Sequence, residues 1–352
     1  MTESKNIRVL VIDDSKVSRL ILTQIFEHAD DFELVGTASD GEAGLEAVQK
    51  LKPDVITLDL AMPKVDGFEF LDKLQGTSNI PVIVVSSQSG AERVMEALER
   101  GATDFIAKIG AFHDGEPSAF FCESVLEKCR VAVGIWGNRE SFEEVGRHLP
   151  LDNSPYELEA GEVLRLICIG ASTGGPGALR EILTGLTFNK NTAILVAQHM
   201  PGGFTEALAD RLNVCTEYSV REAVAGERLA GGVVYIAPGD YHLRLVKRFE
   251  NHWMELVMAR RDDLCVPSVN ELFSSVAESF DGPILGLVLT GMGNDGSVGA
   301  QALVDAGAKI YAEAQDTAVV YGMPKSVIDR GLASEVHGLG TLRLRVKAFV
   351  DG

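Results

Sequence analysis

The most constraining feature of this sequence is the segment 166–176, which reads Leu-Ile-Cys-Ile-Gly-Ala-Ser-Thr-Gly-Gly-Pro. An apolar run ends there in a G-x-S-x-G arrangement around Ser172, and a helix-like stretch follows at 178–183. Glycines at a strand-to-helix turn let the backbone bend sharply, which exposes the serine hydroxyl above the strand ends. The free N–H groups of the helix start can stabilise a negative oxygen. The segment therefore predicts a strand, a turn that carries a nucleophile, and a helix.

The first third of the chain alternates short apolar runs with amphipathic stretches. This alternation is typical of a parallel sheet covered by helices on both faces. A fifth helix is predicted at 117–133, with Pro117 in its first turn. The predicted strands are 8–12, 34–38, 55–58, 82–85 and 103–107, and the helices between them are 16–27, 41–50, 68–75 and 91–100.

A second α/β pattern begins near residue 164. Between the two patterns, Gly, Pro and Asn residues interrupt the periodicity, so residues 135–161 are predicted to be a linker with a short helix near 140–147. The fold class is α/β, with two doubly wound parallel-sheet domains at residues 5–134 and 162–352. The clearest strands of the second domain are 164–169, 192–197, 232–236, 254–258, 283–289 and 309–312.

Composition limits the class of protein. The chain has 352 residues and a formal net charge of −19, which repels phosphate backbones, so no nucleic-acid partner is expected. Its five cysteines form no C-x-x-C pair, and its start lacks an export signal, which favours reduced thiols and a cytoplasmic location. No apolar run approaches the roughly 18–20 residues of a membrane span, so no direct membrane insertion is expected.

Charged and hydroxyl side chains follow the strands of the first domain. Asp13 and Asp14 come after the first predicted strand, Asp59 after the third, Ser86 after the fourth and Lys108 after the fifth. In an open parallel sheet these positions share one edge, where three carboxylates suit Mg²⁺. Such a set favours phosphoryl transfer onto a carboxylate. Taken alone, Asp13 or Asp14 is better explained as an ordinary loop acid.

Two more side chains in the second domain complete a candidate catalytic set with Ser172. His199 follows the apolar run 193–197, and Asp295 follows the run 284–289 in a glycine-rich loop. His199 can take the serine proton, and Asp295 can hold the imidazole in the useful tautomer. The order Ser–His–Asp differs from that of α/β-hydrolases. Alternatively, a glycine-rich turn binds phosphate, the histidine is structural and the aspartate belongs to a turn.

Residues 7–133 resemble a response-regulator receiver domain. The matching features are the Asp13-Asp14 pair, Asp59 before Met62-Pro63 and Asp66-Gly67, and the residues Ser86 and Lys108. One feature departs from that pattern, because Ile109 follows Lys108 where such domains usually have proline.

This resemblance implies a flavodoxin-like fold with Asp59 as phosphoacceptor and a chemotaxis histidine kinase as phosphodonor. It implies that Asp14, Asp59 and the carbonyl of Ala61 bind Mg²⁺, while Asp13 acts mainly through water. Ser86 and Lys108 would contact the phosphoryl group. Phe105 falls at the position of the switching aromatic residue, although a buried strand residue fits it equally well.

Residues 162–340 closely resemble the catalytic domain of the chemotaxis protein-glutamate methylesterase family, CheB. The family commonly has a basic stretch before Pro267, whereas this chain has Asp-Asp-Leu-Cys-Val at 262–266. The matching stretches are 169–176, 198–204, 235–240, 267–269 with 272–273, 289–296 and 319–324.

This second resemblance implies a Rossmann-like serine hydrolase domain without a cofactor. It implies hydrolysis of glutamate γ-methyl esters on the cytoplasmic helices of chemoreceptors, with release of methanol, and often deamidation of receptor glutamines. The N–H of Met292 would help bind the oxyanion, and Thr173 would support the site.

The two domains suggest a regulated enzyme. We hypothesise that the unphosphorylated receiver covers the Ser172 cleft and that phosphorylation of Asp59 weakens this interface. A competing hypothesis is a receiver-regulated binding protein whose glycine-rich loops hold a nucleotide or a partner. A DNA-binding output domain fits poorly, because the second half is α/β and the chain is acidic.

Overall fold

The computed structural model describes residues 6–75, 77–78, 80–86, 90–108, 112–113, 116–136, 163–260, 263 and 265–352. These residues form two compact units, one on each side of residues 137–162. Residues 137–161 of the predicted linker, with its predicted short helix, lie outside the described residues, as do Ile109, Asp262 and Leu264.

The N-terminal unit contains a five-stranded parallel sheet in the order β2-β1-β3-β4-β5. This is the flavodoxin-like strand order, so the predicted fold of this part is confirmed. The strands are β1 (Ile7–Ile12), β2 (Phe32–Ala38), β3 (Val55–Leu58), β4 (Val82–Ser86) and β5 (Asp104–Ala107). The helices are α1 (Lys16–Glu27), α2 (Gly41–Leu51), α3 (Gly67–Gln75), α4 (Ala91–Glu99) and α5 (Ala119–Trp136), and a short antiparallel pair, β6 (Phe112–His113) and β7 (Glu116–Pro117), precedes α5.

Local sequence explains where these helices begin. The Ser15 hydroxyl accepts a hydrogen bond from the Ser18 N–H at the start of α1, and the Asp40 carboxylate does the same for Ala43 at α2. The prediction that Pro117 lies in the first turn of the fifth helix is wrong. Pro117 ends β7, and α5 begins two residues later, after Ser118, whose hydroxyl accepts a hydrogen bond from the Phe121 N–H.

The C-terminal unit contains a seven-stranded parallel sheet in the order β10-β11-β9-β8-β14-β15-β16. Every residue of β9 and β14 is buried, which explains why these strands are continuous apolar runs. The strands are β8 (Arg165–Ala171), β9 (Thr192–Gln198), β10 (Ser219–Glu222), β11 (Val233–Ile236), β12 (Tyr241–Arg248), β13 (Asn251–Met258), β14 (Ile284–Val288), β15 (Lys309–Glu313) and β16 (Glu335–His337). The helices are α6 (Gly175–Thr184), α7 (Phe204–Asn213), α8 (Val269–Ser279), α9 (Ser297–Asp305), α10 (Gly322–Asp329) and α11 (Leu339–Asp351).

The strand order of this sheet reverses at its centre. From β8 the chain first builds outwards through β9 and β11, and it later returns to the other side of β8 with β14. Ligands of open α/β sheets bind at the carboxyl ends of the strands beside such a reversal. The loops after β8, β9 and β14 meet at this point, and they carry the three predicted catalytic residues.

The antiparallel hairpin of β12 and β13 lies outside the parallel sheet. It packs on α8, where the Ser275 hydroxyl accepts a hydrogen bond from the Leu245 N–H and the Ser279 hydroxyl donates to the Leu245 carbonyl. The predicted strand 254–258 belongs to this hairpin. Its partner β12 was not predicted, because charged residues such as Arg244 and Lys247 interrupt its apolar pattern.

Within the residues described above, no helix combines the length and the apolar character that a membrane span requires.

Candidate active site and acidic cluster

Ser172 stands directly after β8, in the turn that its glycines predict. Its N–H donates to the Thr290 carbonyl at 2.9 Å, which ties the turn to the loop after β14. Gly174 has a φ of +79°, and a Cβ there would lie 2.5 Å from the Val319 side chain, so only glycine fits. The helix α6 begins at the next residue, and its start faces the serine turn.

His199 and Asp295 are in direct contact. The His199 N–H donates to the Ala171 carbonyl at 3.0 Å, and its ring Nε2 lies 2.8 Å from Asp295 Oδ2. The same carboxylate oxygen accepts the Val269 N–H at 2.7 Å. An ionised carboxylate can only accept, so His199 donates through Nε2 and Nδ1 is left as the acceptor nitrogen. The imidazole therefore has the tautomer that a general base needs.

The start of α8 holds the Asp295 carboxylate. The N–H groups of Asn270 and Gly296 and the hydroxyl of Ser268 donate to Oδ1, at 3.0, 3.0 and 3.2 Å. Burial acts to raise the pKa of Asp295, but the hydrogen bonds from His199 and from the backbone N–H groups outweigh it, so the pKa is lowered. The positive end of the helix adds to this effect. Asp295 is therefore an anion although it is only 5% exposed.

Gln198 links the nucleophile to the base. Its buried side-chain amide donates to the carbonyl oxygens of Ser172 at 2.8 Å and of His199 at 3.1 Å. No motif in the sequence singles out this residue, although it precedes His199 at the end of β9. The two hydrogen bonds fix the distance between the backbones of the two loops.

The loop after β14 packs against Ser172. A Cβ on Gly291 would lie 2.8 Å from the Ser172 Cβ and 2.3 Å from the Met323 sulfur, so the close approach requires glycine. The Thr290 hydroxyl donates to the Thr173 carbonyl at 2.8 Å. The predicted supporting residue Thr173 and the predicted oxyanion donor Met292 therefore both lie next to the serine turn.

Glu313, the last residue of β15, is buried and forms a hydrogen bond with the loop after β14. Its carboxyl group accepts the Thr290 N–H at 2.8 Å and the Thr317 hydroxyl at 3.0 Å. Burial raises its pKa to about 7, and the two hydrogen bonds offset this only in part. Glu313 could not be identified from the sequence, because a single acid at the end of a strand carries no motif.

Cys265 lies beside the histidine–aspartate pair. Ligand atoms of His199, Cys265 and Asp295 all lie within 4.8 Å of one another. Burial, and to a smaller extent the Asp295 carboxylate, raises the pKa of the Cys265 thiol to about 11. The thiol is therefore protonated at neutral pH.

In the N-terminal unit, the loops after β1 and β3 bring Asp13, Asp14 and Asp59 together, and we call these three residues the acidic cluster. Their carboxylate oxygens lie within 4.8 Å of one another. Lys108 Nζ contacts Asp13 at 3.0 Å and Asp59 at 3.4 Å. Burial raises the pKa of Asp13, with a contribution from Asp59, and Lys108 offsets this only in part. The one positive charge of Lys108 does not balance the three carboxylates.

The other residues predicted for the receiver lie at the same sheet or its edge. The Ala61 N–H donates to Asp59 Oδ2 at 3.3 Å, so its peptide lies against the acidic cluster. Ser86 is buried at the end of β4, next to Lys108, whose N–H donates to the Ser86 carbonyl. Phe105 is buried in β5, as expected for an ordinary strand residue.

Comparisons with known proteins identify both units. Residues 167–345 match the family model "CheB methylesterase", and residues 9–114 match "Response regulator receiver domain". The chain belongs to the CheB methylesterase family. The enzyme named protein-glutamate methylesterase/protein-glutamine glutaminase from Salmonella typhimurium is 40% identical, over 98% of this chain and 97% of its own length. The same identity and coverage hold for the enzyme of that name from Escherichia coli O6:H1.

A solved structure also resembles the C-terminal unit of this family member. The CheB methylesterase catalytic domain of Thermotoga maritima is 38% identical, with a TM-score of 0.50, and covers 52% of this chain and 97% of its own. The family, the α/β fold and the assignment as a hydrolase with a receiver domain are thereby confirmed. The roles of single residues stay predictions.

The contacts of Gln198 lead to one such prediction. We expect Gln198→Met to lower kcat for methyl-ester hydrolysis about 10²-fold with little change in KM, because methionine has the same length but cannot hold the two loops together. Gln301→Met is the matched control, because Gln301 is a half-buried glutamine whose side chain bonds only to Asp305 of the same helix, α9, among the hydrogen bonds of the described residues. Steady-state kinetics of both variants test this, and equal kcat values for the two would refute the positioning role.

Proposed function

We propose that this enzyme hydrolyses glutamate γ-methyl esters on the cytoplasmic helices of chemoreceptors, with Ser172, His199 and Asp295 as its catalytic triad. The observation that carries the proposal is the 2.8 Å contact between His199 and an ionised Asp295, at the sheet edge where the Ser172 turn also lies. The names of the two relatives support the substrate class.

The first half of the reaction forms an acyl-enzyme. His199 Nδ1 takes the Ser172 proton as the serine oxygen attacks the ester carbonyl carbon. The tetrahedral intermediate collapses when the bond to the methoxy oxygen breaks, and the imidazolium gives its proton to that oxygen, which leaves as methanol. Asp295 stabilises the imidazolium, because its carboxylate stays ionised.

The second half releases glutamate. A water molecule loses a proton to His199, attacks the acyl carbon and displaces Ser172, which recovers the proton. A glutamine side chain reacts by the same steps with ammonia as the leaving group, which accounts for the second activity in the relatives' name. Ester and amide both pass through a tetrahedral oxyanion.

Backbone N–H groups would stabilise that oxyanion. We assign this role to the N–H of Met292, helped by the turn that contains Thr173. The close packing of Gly291 on Ser172 supports this assignment, because it brings the next peptide to the serine. Fixed N–H donors cost no reorganisation when charge develops, which makes them effective catalysts.

We propose further that phosphorylation of Asp59 by a chemotaxis histidine kinase raises the esterase activity. An Asp59 oxygen would attack the donor phosphorus, and the donor side chain would leave. Lys108 and Ser86 would bind the transferred phosphoryl group, and the contact of Lys108 with Asp59 supports this role.

The acidic cluster fits a bound Mg²⁺. Three carboxylates within 4.8 Å of one another, two of them in contact with Lys108, form the hard oxygen donor set that this ion prefers. Asp14, Asp59 and the Ala61 carbonyl would bind it directly, and Asp13 would act through water. Bound Mg²⁺ would neutralise charge on the phosphoryl group.

Methanol release from methylated chemoreceptor membranes tests the esterase proposal. Wild type and Ser172→Ala are compared with Mg²⁺ and a small-molecule phosphodonor present, and Ser219→Ala, on the edge strand β10, is the control. The triad is supported if wild type and Ser219→Ala release methanol at the same rate and Ser172→Ala releases none. No release by any protein, with Asp59 phosphorylation confirmed by mass, would favour a binding module.

A second comparison tests the receiver. We expect Asp59→Asn to abolish the increase in methanol release that the phosphodonor causes, because the amide cannot accept a phosphoryl group. Asp66→Asn is the matched control, since its side chain caps α3 at Glu69 and asparagine caps as well as aspartate. Stimulation that survives in Asp59→Asn would place the phosphorylation site elsewhere.

A further inference from the structure

Three side chains of different chemistry converge at the active site. His199 follows β9, Asp295 follows β14, and Cys265 precedes α8, so three separate loops supply an imidazole, a carboxylate and a thiol. Their ligand atoms lie within 4.8 Å of one another. The sequence carries no zinc-binding spacing, because these residues are up to 96 positions apart. The proposed reaction uses His199 and Asp295 but gives the thiol no task.

Zinc is the ion that matches this donor set. Zn²⁺ binds Cys sulfur, His nitrogen and carboxylate oxygen, and three protein ligands with an open fourth position form a common site. Its bonds of about 2.0–2.3 Å place tetrahedral ligand atoms roughly 3.3–3.8 Å apart. Ligand atoms no more than 4.8 Å apart can reach these distances with side-chain shifts of about 1 Å. The acidic cluster offers only oxygen, so Mg²⁺ and Zn²⁺ have separate preferred sites.

We propose that His199, Cys265 and Asp295 form an inhibitory Zn²⁺ site. The inhibition of ester hydrolysis by Zn²⁺ rests on the proposed triad, whereas the binding of Zn²⁺ does not. On binding, the Cys265 thiol releases its proton to solvent and the sulfur bonds to the metal. If Nδ1 of His199 binds, its lone pair is no longer available to Ser172. If Nε2 binds, the remaining ring proton sits on Nδ1. The base is lost in either case.

A metal ion at this site inhibits hydrolysis by occupying the base, and it does not need to contact the substrate. The enzyme is therefore sensitive to metals that bind thiolates. Mg²⁺ at saturating concentration does not compete, because it binds thiolate and imidazole weakly compared with oxygen. Cys265 is the member that confers this sensitivity, since the histidine and the aspartate are needed for the reaction itself.

The binding test uses the full chain with saturating Mg²⁺. Zn²⁺ is titrated in competition with a chromophoric chelator, and Co²⁺ is added separately to record its thiolate charge-transfer band in the near ultraviolet. We compare wild type, Cys265→Ala, Cys265→Ser and the control Cys215→Ala. We expect one tight site and the thiolate band in wild type and in the control. Both Cys265 variants should bind at least 10-fold more weakly and lack the band.

The inhibition test uses the same proteins in the methanol-release assay. Zn²⁺ should inhibit wild type and Cys215→Ala, and a chelator should restore activity. Cys265→Ala should hydrolyse the ester normally without zinc and need at least 10-fold more zinc for inhibition. Zinc binding that does not depend on Cys265 would overturn the inference, even in a fully active enzyme. Zinc binding through Cys265 in a protein without esterase activity would support the site and refute the proposed function instead.

Discussion

Replacing Asp295 by asparagine should lower kcat about 10⁴-fold in a chain that remains folded. The loss of one carboxylate oxygen changes which nitrogen of His199 carries the proton, and a base with the wrong tautomer cannot deprotonate Ser172. The effect should fall on kcat, because the carboxylate contacts the imidazole and has no contact with the substrate in the proposed reaction.

The hydrogen bonds around Asp295 determine how asparagine would orient. Three donors, from Ser268, Asn270 and Gly296, point at Oδ1, whereas Oδ2 faces the Val269 N–H and His199. A carboxamide has only one acceptor oxygen, and its lowest-energy position is that of Oδ1, where it satisfies three donors. The amide N–H₂ then points at His199 Nε2 and donates to it. The ring proton must move to Nδ1, so the base is blocked.

Methyl-ester hydrolysis measured from pH 6 to pH 9 checks this prediction. Asp281→Asn, which removes an exposed ion pair with Lys247, is the control for the loss of a charge and should keep wild-type kcat. The double variant Asp295→Asn with His199→Ala should be no slower than His199→Ala alone, because the two residues act as a unit. A kcat of Asp295→Asn within 10-fold of wild type would show that Asp295 does not orient the base.

The sequence brought the three candidate catalytic residues together because parallel strands are easily recognised and their carboxyl ends share one edge. Ser172, His199 and Asp295 each follow a buried apolar run, so strand prediction alone brings them to the same edge. The order of the strands did not follow from periodicity, since pairing depends on contacts between distant parts of the chain. The reversal between β8 and β14 was therefore visible only in the structure.

The groups that support the site were harder to predict. Ser268 caps the start of α8, where its hydroxyl accepts the Glu271 N–H, but no local pattern indicates that this helix start points at Asp295. Gln198 and Glu313 each support the site through one hydrogen bond to a loop that is distant in the sequence. Nothing in the local sequence distinguishes such residues from ordinary polar positions at strand ends.

Glu313→Gln should stabilise the protein at alkaline pH by about 3 kcal/mol. Burial raises the pKa of Glu313 from 4.5 to about 7 in the folded state. Between these two values the folded state binds more protons than the unfolded state, so the contribution of Glu313 to stability falls as pH rises and is lost above pH 7. One pKa unit corresponds to about 1.4 kcal/mol, which sets the size of the effect.

Glutamine reproduces the hydrogen bonds of the protonated acid. Its carbonyl oxygen can accept the Thr290 N–H, as the carboxyl group does. Its amide can donate to the Thr317 hydroxyl oxygen, in place of the hydrogen bond that Glu313 accepts from that hydroxyl. The difference in the free energy of unfolding between Glu313→Gln and wild type should be near zero at pH 4. It should grow through pH 7 and be constant above that value.

Urea unfolding from pH 4 to pH 9, followed by tryptophan fluorescence, measures this difference. The full chain carries Trp136→Phe in every variant, so that Trp253 in β13 reports on the C-terminal unit alone. Glu335→Gln is the matched control of opposite sign, because the ion pair with Arg345 lowers the pKa of Glu335 to about 2. Its loss should destabilise the unit at neutral pH. A Glu313→Gln variant that is less stable than wild type at pH 8 would contradict the prediction. It would mean that the ionised carboxylate itself stabilises the folded state through its contact with Thr290, in the loop after β14.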